Sequence, residues 1–343
     1  MRTATEARAP DEVLSWGRDL LEPALREAVG TLPAAVGRVS AFHFGWCDEH
    51  GNPTTGSSGK ALRPTLALLA AEAAGGELDS AVPAAVALEL VHNFSLLHDD
   101  VMDRDVLRRH RPTAWAVFGA GPAILAGDAL LTLAFDTLAA AGGARGTEAV
   151  RILSAAVQEL VEGQVADLAF ESRDDVVLQE CMDMARGKTG ALLGCSCALG
   201  ELVATGDHER IERMRSFGEQ LGLAFQLIDD ILGIWGDPAR TGKAIHSDIA
   251  SRKKSLPVVA ALTSGTPAGC ELAALYAGTQ RLSADELARA AALVAAAGGR
   301  AWAEAEAAAQ LAAALEDLHA AAAHGRPAAE LETLALLVTA RDR

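Results

Sequence analysis

Aromatic residues are scarce in this sequence, at 4% of 343 residues, and tyrosine occurs once, as Tyr276. Runs of β-branched residues are short, so little in the chain favours strands. Cysteine is sparse and spaced wrongly for metal. Cys47, Cys181, Cys195, Cys197 and Cys270 form no ligand pattern; Cys195 and Cys197 are too close for a usual zinc pair, and no second pair follows. An odd count without a signal sequence points to reduced, mostly buried thiols and a cytoplasmic location. Positive charge is outnumbered, with 30 Lys and Arg against 46 Asp and Glu and a net charge of −16. Such a balance argues against nucleic acid, whose backbone needs a basic face. No apolar run reaches the ~18–20 residues of a bilayer span, so no membrane span is expected. Residues 1–10 are polar and charged and are expected to be disordered.

Alanine and leucine are abundant, with Glu and Arg between them, and half of the residues are hydrophobic. That composition favours helix and allows a sizeable core. We therefore expect an all-α protein with a single domain over residues 11–343. Helical periodicity places helices over about 11–36, 65–74, 82–98, 127–141, 147–170, 191–202, 210–234 and 258–263. Alanine-rich helices follow, broken at Gly265–Gly269, Gly298–Gly299 and His324–Pro327.

The stretch His92 to Trp115 runs from an apolar helix into carboxylates and then arginines. Asp99 and Asp103 are four apart, on one helix face, where like charges repel. A divalent cation would explain them, and Mg²⁺ takes one or two carboxylates together with water and substrate phosphate. Arg108, Arg109 and Arg111 follow, suited to the same phosphate. For one such motif alone, a solvated helix end is the competing explanation. Lys60 and Arg63 stand where a helix begins and oppose its dipole unless an anion binds. A second aspartate pair, Asp229-Asp230, also ends an apolar helix and precedes a basic loop. Two such clusters facing one another across a helical cavity would hold several metal ions around one polyphosphate. Lys188-Thr189 between glycines resembles the end of a phosphate loop, but its first glycine is missing and no strand precedes it.

Taken together and in order, these segments resemble the trans-isoprenyl diphosphate synthases, or polyprenyl synthetases. The resemblance covers about Gly59 to Pro257 and rests on Gly59-Lys60-Ala61-Leu62-Arg63-Pro64, Asp99-Asp100-Val101-Met102-Asp103 with Arg108-Arg109, Gly127-Asp128, Lys188-Thr189, Gln226 with Asp229-Asp230, Gly242-Lys243 and Ser247-Asp248 with Lys253-Lys254. It implies the isoprenoid synthase type I fold, about ten to thirteen helices around a deep central cavity, usually as a homodimer. It also implies head-to-tail condensation of isopentenyl diphosphate with a dimethylallyl, geranyl or farnesyl diphosphate.

Carried over by position, Asp99, Asp103 and Asp229 would be the main ligands of about three Mg²⁺ ions, with Asp100 and Asp230 in support and Mn²⁺ as a substitute metal. Arg108, Lys188 and Lys243 would hold the allylic diphosphate. Lys60, Arg63, His92 and Arg109 would hold that of isopentenyl diphosphate. Thr189 and Gln226 would turn oxygens toward the cationic intermediate, and Lys253 would close the cavity. Two departures stand out: Gly233 where many members have Asp, and Ala244 and His246 in the loop after Lys243. Phe94 and Ser95 lie five and four residues before Asp99, where the family sets product length. One aromatic beside one small residue resembles the geranylgeranyl pattern more than the farnesyl one. The rival functions are a class I terpene cyclase, which has no use for Lys60, Arg63 and His92, and a non-catalytic partner subunit, which would lose the first motif.

Overall fold

Pro10 opens helix α1 (Pro10–Gly30), a position where its missing N–H costs nothing. Glu12 folds back to accept the N–H of Ala9 at 2.9 Å. Val13, Leu14, Leu21, Leu25 and Val29 make the buried stripe of α1. Helix α2 (Ala34–Phe44) stops at Gly45, whose left-handed φ of 82° suits glycine. Helices α3 (Leu62–Ala73) and α4 (Leu78–Met102) follow. Apart from its C-terminal turns, α4 is apolar on nearly every side, as a helix enclosed by others must be. It packs against α1, α3 and α6 (Ala120–Ala141). Leu88, Leu90 and Leu97 of α4 are fully buried, each contributing about 1.5–3 kcal/mol.

The chain continues through α5 (Ala114–Phe118), α7 (Gly146–Ser172), α8 (Leu178–Ala185), a π turn (Arg186–Gly190), α9 (Ala191–Ala204) and α10 (His208–Trp235). Then come α11 (Ser247–Ala250), α12 (Leu256–Leu262), α13 (Pro267–Tyr276), α14 (Ala284–Ala296), α15 (Gly299–Ala320) and α16 (Gly325–Thr339). This computed structural model describes residues 7–54, 59–141, 143–238, 244–278, 280–321 and 324–339.

The polypeptide forms two compact units. One comprises Met1–Val157, Cys195–Arg215 and Ala321–Leu331; the other comprises Gln158–Gly194, Ser216–Ala320 and Glu332–Arg343. In the second unit one buried cluster includes Phe170, Cys181, Leu223, Leu227, Ile231 and Leu256. Another includes Ile234, Ile249, Val258, Leu272 and Val294.

The helical class holds, with three differences in detail. First, α6 begins at Ala120, not near Gly127. Second, a two-stranded hairpin, β1 (Leu107–Arg108) and β2 (Arg111–Pro112), sits inside the basic segment. Third, α4 and α6 are long and apolar enough to cross a membrane by length and composition, contrary to the expectation from uninterrupted apolar runs. Alanine carries their hydropathy, which a search for runs underweights; 72% of the apolar window of α4 and 39% of that of α6 is buried inside the protein. Of the N-terminal stretch expected to be disordered, residues 1–6 lie outside the described residues. Arg8 is held by Glu330 at 2.6 Å and lies over the Trp16 ring at 3.8 Å.

Candidate active site

In the first unit the site residues come from the start of α3, the end of α4 and the hairpin. Helix α4 closes with a Schellman turn: Asp103 is the cap, Arg104 is left-handed at φ 58°, and the N–H of Asp105 donates to the Asp100 carbonyl at 3.0 Å. This turn fixes Asp99 and Asp103 one helical turn apart, with Asp99 partly buried and Asp103 exposed. Asp100 points the other way and is buried, accepting from Arg108 Nε at 2.6 Å. Burial raises its carboxyl above the ordinary range, and the Arg108 guanidinium pulls it back. Its second oxygen has no hydrogen-bond partner among the described residues.

The hairpin turns at Arg109 and His110, with φ of 50° and 63°. Both central residues of a type I′ turn need positive φ, a demand usually met by Asn-Gly. Arg111 is anchored, donating to the Phe42 carbonyl at 3.1 Å with its guanidinium over the Phe42 ring. Arg63 Nη1 lies 3.4 Å from His92 Nε2. Burial and the nearby Arg63, Arg109 and Arg108 push His92 well below its ordinary value, so it is neutral and accepts from Arg63. Burial also lowers Arg63 to about 10, with Glu89 opposing the fall. Glu89 is buried and bonded to Asn93 Nδ2 at 2.9 Å. Arg63 and Arg109 thus form a cationic group beside neutral His92 and the buried carboxylate Glu89, at a helix start that has no side-chain cap among the described residues.

In the second unit, Lys188 and Thr189 lie in the π turn, an insertion frequent at functional sites. Gly163 of α7 and Gly187 lie so close that a Cβ on either would strike the other segment's backbone. This crossing brings Lys188 Nζ to 2.6 Å from Asp167 Oδ2. Thr189 donates to Gln226 Oε1 at 2.8 Å, and Gln226 Nε2 donates to Asp230 Oδ1 at 2.9 Å. Asp230 is buried and also accepts from the Leu256 N–H at 2.9 Å. Lys253 Nζ stands 3.5 Å from Asp230 and 3.9 Å from Asp248. Asp230 raises the Lys253 ammonium well above its ordinary value, so it is charged. Gly233 has the Asp248 carboxylate where its Cβ would be.

The structure therefore joins Arg63 with His92, Arg108 with Asp100, Lys188 with Asp167, Thr189 with Gln226, and Gln226 and Lys253 with Asp230. Lys243 lies outside the described residues. Asp167 and Gln164 were absent from the sequence-derived site, and Asp248 was present only as part of the Ser247-Asp248 motif, without a role. Gln164 is buried in α7, and neither of its amide atoms has a hydrogen-bond partner among the described residues. The sequence signal of Asp167 and Gln164 is a polar residue on an otherwise apolar helix face, and that of Asp248 is its place in the Ser247-Asp248 motif.

Among the described residues no group of three or more His, Cys, Asp or Glu side chains could hold a metal alone. The donors present, a pair of aspartates at a helix end, fit Mg²⁺, which completes its shell with water and phosphate. They do not make the all-protein cage of a Ca²⁺ or zinc site. Non-glycine residues with left-handed backbone among the described residues are Ala61, Arg104, Arg109, His110, His246 and Arg252. All lie in segments carrying these cations and carboxylates, where stored strain is expected.

The protein is thus helical, with aspartates at the end of an apolar helix and grouped arginines beside them. Residues 45–294 match the polyprenyl synthetase family. A (2E,6E)-farnesyl diphosphate synthase of Mycobacterium tuberculosis is 47% identical over 96% of this chain and 93% of its own length. A geranylgeranyl diphosphate synthase of the same organism is 45% identical over 82% of this chain and 83% of its own. The crystal structure of a polyprenyl synthetase from Streptomyces coelicolor A3(2) superposes with TM-score 0.91 at 46% identity, covering 95% of this chain and 98% of that one. The chain belongs to the polyprenyl synthetase family. It has the all-α isoprenoid synthase fold and is a prenyl transferase.

Proposed function

We propose that this enzyme condenses isopentenyl diphosphate head-to-tail with an allylic diphosphate and releases mainly geranylgeranyl diphosphate. One observation carries the condensation: α4 presents two different anion-handling groups. His92, beside Arg63, stands two helical turns before Asp99 and three before Asp103. An enzyme that ionises one diphosphate needs only the second group; an enzyme that joins two diphosphates needs both.

In this scheme Asp99, Asp103 and Asp229, with Asp100 and Asp230 behind them, hold magnesium on the allylic diphosphate. Magnesium, when bound, would offset the charge that grows on that leaving group. Arg108, Lys188 and Lys243 hold the same diphosphate, two of them pre-oriented by Asp100 and Asp167. Lys60, Arg63, His92 and Arg109 hold isopentenyl diphosphate so that its double bond meets the allylic carbon as the C–O bond breaks. Thr189 and Gln226 supply oxygen dipoles beside the positive carbon. Lys253 and apolar walls keep out water, which would trap the cation as an alcohol. The departing diphosphate takes the final proton. The exposed apolar side chains Ile124 and Leu125 on α6 support a homodimer.

Phe94, 7% exposed, and Ser95 support the geranylgeranyl product. The name of the 47% identical relatives favours farnesyl diphosphate as the second reading. Purified protein with Mg²⁺, labelled isopentenyl diphosphate and dimethylallyl, geranyl or farnesyl diphosphate decides between them. Extension of farnesyl diphosphate to the twenty-carbon product is expected. Accumulation of farnesyl diphosphate without further extension would establish the second reading, and a hydrocarbon from one substrate would establish a cyclase.

A further inference from the structure

Gly127-Asp128 has no role in the scheme above, and neither has His98, which directly precedes Asp99. Their geometry connects them. His98 and Phe94 are one helical turn apart on α4, with ring centroids 4.8 Å apart at 67°, an edge-to-face contact. The imidazole leaves α4 and lies on α6, where a Cβ at Gly127 would occupy the position of its ring. Gly127 is inside α6 with ordinary helical backbone. Glycine there is less favourable than alanine, and no turn explains it. The space it leaves admits the His98 ring.

His98 Nε2 is 3.0 Å from the Ile124 carbonyl and 3.6 Å from Asp128 Oδ1. Both partners accept, so Nε2 carries the proton and donates to α6. The ring is therefore fixed on three sides: Phe94, the Gly127 gap and the Ile124 carbonyl. We propose that His98, seated in the Gly127 gap, is a positioning residue that holds Phe94 and so sets product length. This inference rests on the synthase reading, with Phe94 as the floor for the growing chain. With the strut removed, Phe94 gains freedom to turn aside, and the floor recedes.

The test is the product distribution of wild type, His98→Ala, Gly127→Ala and Phe94→Ala, and of each of the first two changes combined with Phe94→Ala. Labelled isopentenyl diphosphate and Mg²⁺ are supplied, and dephosphorylated products are separated by chromatography. His98→Ala should raise the share of products longer than the wild-type one by about tenfold, the scale on which a pocket wall discriminates. Gly127→Ala, which unseats the ring from the α6 side, should also shift the distribution. Neither change should shift it further in the Phe94→Ala background. If His98→Ala does not fold, Gly127→Ala and His98→Gln carry the same comparison. Wild-type lengths from folded variants, or a shift that persists without Phe94, would overturn the inference while leaving the synthase intact. A wild-type protein that incorporates no label would overturn the synthase reading, and this inference with it.

Discussion

Gly233 bears no side chain, and the Asp248 carboxylate fills the place where one would begin. Ser247 Oγ donates to the Gly233 carbonyl at 3.2 Å, tying the two segments together. The Asp248 carboxylate thus occupies the space that a side chain at 233 would enter. Restoring Asp at 233 sets two carboxylates against each other and drives Asp248 away from Lys253. Gly233→Asp should lower kcat/KM by about tenfold, or ~1.4 kcal/mol of barrier. Steady-state kinetics over a magnesium titration checks it; a gain in activity or in apparent magnesium affinity would show that Gly233 is merely a lost ligand. At this scale Thr189 and Gln226 also gain definition. Their oxygens are aligned by a chain of donors that ends at Asp230, which fixes their orientation before any substrate arrives.

The elements show why some of this was legible from the sequence and some was not. Helices α3, α4, α7 and α10 follow from their apolar periodicity. Glycine misled the reading of α6. Gly127 looked like a helix start, but it serves a contact with His98, and contacts of that kind have no local signature. The hairpin was missed because Arg109-His110 lacks the turn residues that its backbone requires. Lys188 was identified, but its partner Asp167 is reached through the crossing of two segments 21 residues apart. The end of α4 offers a direct test. Arg104 is exposed and left-handed at φ 58°, a conformation that costs an L-residue roughly 1–2 kcal/mol. Arg104→Gly should stabilise the protein by about 1 kcal/mol after its own entropic cost. A rise in the denaturation midpoint is expected; a fall would mean that the Arg104 side chain, not the turn, holds α4 in place.

Over the whole molecule, acid residues exceed basic ones by 16, yet Arg63, Arg108, Arg109 and Arg111 gather around two neutral histidines. His43 is lowered to about 3 by burial and by Arg108, Arg109 and Arg111, against a hydrogen bond with Asn93. Its folded value lies below its unfolded one, so the unfolded chain binds the extra proton first. The stability that this group contributes is complete above about pH 6.5 and is lost progressively as pH falls toward 3. Near pH 5 the cost reaches about 2 kcal/mol. Asp100, Asp230 and Glu89, raised by burial, work in the opposite direction, so the comparison must isolate His43. Thermal melts at pH 7 and 5 should show a smaller loss for His43→Gln than for the wild type; equal losses would mean that His43 is not held neutral by the fold.

The central claim is that the aspartates ending α4 serve a magnesium-dependent condensation of two diphosphates. Incorporation of labelled isopentenyl diphosphate into a prenyl chain, measured for wild type and Asp99→Ala with and without Mg²⁺, tests it most directly. The expected result is elongation by the wild type only with the metal, and loss of at least about a thousandfold in a variant whose melting curve is unchanged. A folded Asp99→Ala protein that elongates at the wild-type rate, or a wild type equally active without divalent metal, would contradict the account.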